Sequence, residues 1–236
     1  MNNSSHIAIL FFSRTAENEA LAKKWVNRKS KESNKRIANL LIRNTEKALS
    51  KSGLPVYRFD ETMQTARSFG ENISQAYEKV FAMGYSSVIA IGNDHATIQN
   101  IKWDYIKKML SSGKSIVGAS IRGGAYLIGI QKRSFHKETF LQLPWQTNKL
   151  FSALYKVLKK ESDISLLSPE RDINTYHDII KYIKEATPNN HLVRPLLLLL
   201  RDITTICTAF RSNHICLFTN SFHSLRAPPL ALLTQI

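Results

Sequence analysis

The chain is poor in cysteine. Cys207 and Cys216, both near the C-terminus, are its only two. Their spacing matches no metal signature, and two thiols do not build a disulfide framework. This argues against a disulfide-rich secreted scaffold and makes a reducing cytoplasm the simplest setting. Long apolar runs are missing as well. Residues 7–12 form a run of six with no basic segment before it, which reads as a first strand and is too short for a signal-peptide core. The leucines at 196–200 lie between Arg194–Pro195 and Arg201–Asp202, so that run cannot span a bilayer. There is no HExxH, no pair of CxxC motifs and no Ser–His–Asp ordering, which leaves zinc-site and triad-hydrolase readings without support. Acids are scarce: 18 Asp and Glu against 33 Lys and Arg give a formal charge of +15 and a pI near 9.9. Such a field draws nucleic acid, nucleotide phosphates or an anionic membrane surface without choosing among them. No aromatic–basic platform or reader motif accompanies it, so no specific nucleic-acid partner is expected.

What the chain does have is 43% hydrophobic residues over 236 positions, enough for one sizeable core. Short, apolar, β-branched runs at 6–12, 54–60, 86–92, 114–120, 125–130 and 163–168 are predicted strands. Between most of them the apolar period is helical, at 34–52, 71–83, 97–110, 147–161 and 174–185. Gly53, Gly84 and Gly113 stand where C-terminal glycines close the first three of these helices, and Asn174 is a plausible N-cap of the last. Strand–helix alternation predicts a three-layer α/β/α sandwich around a mostly parallel sheet. Residues 1–186 form this domain. After the breaker cluster at 186–190 the alternation stops, and 187–236 reads as a helical extension, with helices near 191–210 and 213–224. Its basic amphipathic stripe, Leu192, Leu196, Leu199, Leu200 and Ile203, suits packing on its own domain, a second subunit or a peripheral membrane surface.

Two places suggest chemistry. The third strand runs out into Gly92-Asn93-Asp94-His95, and ligands of open α/β sheets sit at the carboxyl ends of strands. Asp94 either holds a ligand there or caps the next helix. The segment 13–33 follows the first strand as an irregular loop rich in cations, with Arg14 and Lys23 placed to grip a diphosphate or merely to be solvated.

The stretches IAILFFSR, SGLPVYRFDE (52–61), SFGENISQAYEKVFAMGYSSVIAIGND (68–94), IVGASIRGGAYLIGI (116–130), LPWQTNKLF (143–151) and RDINTYHDI (171–179) give the chain its resemblance to a known family. It resembles the uncharacterised glycosyltransferase-like family of the nucleotide-diphospho-sugar transferase superfamily, which has the GT-A fold and is related to molybdenum-cofactor and phospholactate guanylyltransferases. The resemblance implies a nucleotide or nucleotide-sugar ligand. It also implies a divalent cation, Mg²⁺ or Mn²⁺, on Asp94. Asp172 becomes a second ligand or a base, or, as a lone acid before a helix, a structural residue. Trp145 becomes a stacking face for a base or sugar, or a core residue, and the Gly123–Gly124 pair becomes backbone that approaches a ligand closely.

The chain departs from the family pattern at three points. Ala96 replaces a proline, Asn72 replaces an arginine, and Arg122 stands where an acid precedes the two glycines. Arginine cannot ligate a metal, though it can clamp a diphosphate. Two hypotheses follow. One is a metal-assisted transferase of a glycosyl or nucleotidyl group from a nucleoside-diphosphate-type donor. The other is a degenerate GT-A-like domain that binds an anion, nucleotide or partner without catalysis.

Overall fold

The computed structural model describes residues 6–201 other than 24, 27–30 and 188. The tail helix expected near 213–224, both cysteines and Ile203 lie outside the described residues. In chain order the elements are β1 (Ile7–Phe12), α1 (Ala16–Ala22), α2 (Lys31–Ser50), β2 (Val56–Phe59), α3 (Phe69–Ala82), β3 (Ser87–Ile91), α4 (Trp103–Ser111), β4 (Ser115–Ser120), β5 (Ala125–Gln131), α5 (Lys137–Leu141), α6 (Leu150–Glu161), β6 (Ile164–Glu170), α7 (Tyr176–Glu185) and α8 (Val193–Arg201).

The six strands form one sheet in the order β2-β1-β3-β5-β4-β6. The β1–β2, β1–β3 and β4–β6 pairs are parallel, and β5 runs antiparallel between β3 and β4. Side chains alternate across a strand, and here both faces are covered. Ile7, Ile9 and Phe11 of β1, with Ile89 and Ile91 of β3, point into a core shared with α2, α4, α7 and α8. Ala8, Leu10, Val88 and Ala90 point the other way, toward α3, α5 and α6. The sandwich is therefore three layers, with β1 and β3 buried on both sides.

The helix ends carry their own signals. Ser68 and Glu71 form a reciprocal capping box at the start of α3. Gly53, Gly84 and Gly113 adopt φ of 68°, 97° and 89° just beyond α2, α3 and α4. Three expectations need correction. The helix expected over 97–110 is a 3₁₀ turn (Ala96–Asn100) followed by α4. The N-cap of α7 is Thr175, one residue beyond Asn174, because Thr175 and Asp178 make the capping box. The segment 13–33 is not irregular throughout: it contains α1 and the start of α2.

The described part of the C-terminal extension lies on the domain. Leu192, Leu196 and Leu200 are buried in the same core as α2 and α7. The Nε2 of His191 lies 2.9 Å from Asn44 Oδ1. Among the described residues no helix is long and apolar enough to cross a membrane.

Candidate functional site

After β1 the chain moves to one side of the sheet, to β2. After β2 it returns to the other side, to β3. The loops leaving β1 and β3 thus diverge, and a crevice opens between them, the usual ligand position in such sheets. A cavity of about 510 Å³ occupies it. Its walls include Ser13, Arg14, Glu19 and Lys23 from the β1 side and Gly92, Asn93 and Asp94 from the β3 side. Arg122, Gly124 and Tyr126 of the β4–β5 hairpin, Trp145 and Asn148 of the following loop, and Asp172 and Asn174 also line it, with Phe69 of α3.

The β1 loop is fixed by Glu61. Its carboxylate accepts from Thr15 N at 2.8 Å, from Asn18 Nδ2 at 2.6 Å and from the Thr15 hydroxyl. Burial would raise the Glu61 carboxyl, but these donors hold it below the usual value. The α1 helix then turns Glu19 inward. Its side chain, 3% exposed, lies 2.8 Å from Lys23 Nζ and 3.6 Å from Arg14 Nη1. Lys23 Nζ also donates to Asp94 Oδ1. A chain of alternating charge, Arg14–Glu19–Lys23–Asp94, therefore crosses the crevice. Burial would lower the Lys23 ammonium, but Asp94 and Glu19 outweigh it and hold it above the ordinary value.

Hydrogen bonds to main-chain carbonyls lock the three segments that carry these groups. Trp25, fully buried, donates its indole N–H to the Ile173 carbonyl at 2.9 Å. Ile173 N donates to the Asp94 carbonyl at 2.8 Å. Lys23, Asp94 and Asp172 are thus each within two residues of a link in one three-point tie. Asp94 does not cap the next helix, because His95 is the N-cap of that 3₁₀ turn. The Asp94 carboxylate is one-third exposed and turned to Lys23 and the cavity.

Asp172 has two neighbours of its own. Ser120 Oγ donates to its Oδ2, and His95 Nε2 lies 2.9 Å from its Oδ1. Burial would raise the Asp172 carboxyl. The contacts with His95 and Ser120, with the charge of Lys23, reverse that and hold it low. His95 is buried against the Tyr126 ring, with centroids 4.7 Å apart. Tyr126 lies where it does because residue 118 is glycine: a Cβ there would sit 2.4 Å from the ring.

Arg122 sits on the crevice rim, but its guanidinium forks onto Asp178, Nη1 to Oδ2 at 3.1 Å and Nη2 to Oδ1. Asp178 also belongs to the α7 capping box. Gly123, with φ of 83°, is not in the cavity wall. A Cβ there would lie 2.0 Å from the Asn148 carbonyl oxygen, so the close approach it allows is to the 145–149 loop. Gly124 lines the cavity. Trp145 stands beside Phe69, with centroids 5.5 Å apart, gives its N–H to the Phe140 carbonyl at 2.7 Å, and lines the cavity. Asn72 braces the loop before α3 through Ala66 and Ser68.

Sequence reasoning missed Glu19, Trp25, Glu61 and Asp178. Glu61 closes the SGLPVYRFDE segment, and Asp178 stands three residues after Thr175 in a capping-box spacing, so both left a signal. Glu19 and Trp25 left none.

The donor set does not suit a resident divalent cation. Asp94 Oδ1 is taken by the Lys23 ammonium, Asp172 Oδ2 accepts from Ser120, and Asp172 Oδ1 lies 2.9 Å from His95 Nε2. Among the described residues no three His, Cys, Asp or Glu side chains group as metal ligands.

Comparison with known proteins places this geometry in context. The profile of the family "Uncharacterized protein conserved in bacteria (DUF2064)" matches residues 39–147. No curated protein matches the chain. Among solved structures, a candidate nucleotide-diphospho-sugar transferase from Desulfovibrio desulfuricans G20 superposes with a TM-score of 0.64 at 21% identity, covering 84% of this chain and 95% of that one. The chain has the fold of that protein. A glycosyltransferase involved in glycosylation of the major capsid of PBCV-1 gives 0.44 at 11% identity, covering 69% and 82%. A cytidylyltransferase from Leptospira borgpetersenii gives 0.36 at 11% identity, covering 89% and 99%.

Proposed function

We propose that the chain binds a nucleoside-diphosphate-type donor in the β1/β3 crevice and transfers its glycosyl or nucleotidyl group. The observation that carries this reading is the Arg14–Glu19–Lys23–Asp94 chain set across the switch point of a nucleotide-sugar-transferase fold. Arg14 is half-exposed and Lys23 lines the cavity, so both can meet phosphate oxygens. Trp145 and Phe69 offer an aromatic wall to a base or sugar ring.

Transfer from such a donor needs charge stabilisation at the leaving phosphates, and fixed cations supply that without reorganisation. Asp172, held ionised beside His95 and Ser120, is positioned to take a proton from an acceptor hydroxyl. Arg122 is set as a positioning residue of the β4–β5 hairpin through Asp178, not as the main phosphate clamp.

The test is a panel of UDP-, GDP-, CDP- and ADP-sugars followed by thermal shift and by release of nucleotide. Stabilisation by one nucleotide class, lost in Arg14→Ala, with slow release that Asp172→Asn reduces by about a hundredfold or more, is expected. No stabilisation by any member overturns the reading. Stabilisation without release supports the binding-module alternative.

A further inference from the structure

We propose that Lys23 supplies, from within the chain, the positive charge at Asp94 that the family resemblance assigns to a divalent metal, so that the crevice takes a nucleoside diphosphate without one. This rests on the donor reading given above and says how that same site is charged.

The geometry carries it. Lys23 Nζ is bonded to Asp94 Oδ1 and lies 2.8 Å from Glu19 Oε1. An ammonium has three N–H donors and one is given to Asp94, which leaves donors for a ligand oxygen. The Lys23 side chain is 13% exposed, and the Lys23 ammonium lies 5.9 Å from the buried Trp25 ring. A divalent ion arriving at the same oxygen would stand against this ammonium, where like charges repel strongly in a shielded site.

The ion pairing agrees. Lys23 lies against both Glu19 and Asp94, and Arg14 reaches Glu19, so both carboxylates on this side of the wall already have cations. Asn93 and Asn174, which also line the cavity, are neutral and add no charge.

The experiment is calorimetric titration of UDP, GDP, CDP and ADP into the full chain, once in EDTA and once in Mg²⁺, with Lys23→Gln and Lys23→Arg beside the wild type. A separate Mn²⁺ titration is made without nucleotide. Wild-type affinity for the diphosphate that binds is expected to agree within about threefold between the two buffers. Lys23→Gln should weaken it about tenfold or more in EDTA, and Lys23→Arg, which keeps the charge, should stay within about fivefold. The free protein should show no saturable Mn²⁺ site. Binding that strengthens about tenfold with Mg²⁺, a Lys23→Gln variant that binds as wild type in EDTA, or a Mn²⁺ site lost in Asp94→Asn would each overturn the inference while leaving the donor reading in place. Absence of binding by all four diphosphates in both buffers overturns the donor reading, and this inference with it.

Discussion

Asp178 is buried to 1% as a side chain, yet it accepts from Arg122, from the Thr175 hydroxyl and amide, and from the Asn174 amide. Burial would raise its carboxyl, and these partners hold it below the usual value. A carboxylate whose folded pKa is depressed contributes fully above its unfolded value, about pH 3.9, and loses that contribution as pH falls through the lower folded value. Asp178→Asn should therefore destabilise the chain by about 2–3 kcal/mol at pH 7. In urea melts the gap from wild type should narrow below about pH 4. A gap that is constant from pH 7 to pH 2 would contradict this. Gly123 gives a second residue-scale test. Its φ is 83°, and a methyl carbon on it would stand 2.0 Å from the Asn148 carbonyl oxygen, which leaves no room for alanine. Gly123→Ala should cost about 2 kcal/mol or more and lower Tm by about 4–8 °C. Gly124→Ala, with a nearest atom at 3.6 Å, should cost far less.

At the scale of elements, what could be read in the sequence follows from what each helix or strand buries. The runs IAILFF and SVIAI are apolar on both faces because helices cover both, so β1 and β3 were plain from composition. The antiparallel turn of β5 also had a signal. Only four residues separate Ser120 from Ala125, too few for a crossover, so β4 and β5 must form a hairpin. The α1 helix had none. Its buried residues are Ala16 and Glu19, and a charged residue facing inward defeats any search for an apolar stripe. The site was partly legible for the same reason. Asp94 stood out at a strand end, while its partner Lys23 lies 71 positions away and Arg122 is 56 from Asp178. Pairings of that range come from topology. The α8 helix gives the element-scale prediction. Leu196 is fully buried against α2 and α7, so Leu196→Ala should destabilise the domain by about 2–5 kcal/mol. The exposed Leu198→Ala should change Tm little. Equal small effects of both would show that α8 is not integral to the core.

The molecule as a whole carries +15, while the cations of its crevice are engaged in ion pairs, Arg14 and Lys23 with Glu19 and Asp94 and Arg122 with Asp178. The outer field should then act as a general attraction to polyanions, separate from the site. Retention on heparin should fall steeply between about 50 and 200 mM salt, and Arg14→Ala should barely alter it. A large loss of retention in that single variant would tie the field to the crevice instead. The central claim is narrower: a nucleoside diphosphate lies between the ends of β1 and β3. A crystal structure of the chain grown with the diphosphate that stabilises it most is the direct measurement. The expected result places phosphate oxygens within hydrogen-bond distance of Lys23 Nζ and the Arg14 guanidinium, with the ring toward Trp145. Diphosphate density elsewhere on the surface, with Lys23 still closed on Asp94 and Glu19 in an empty crevice, would contradict it.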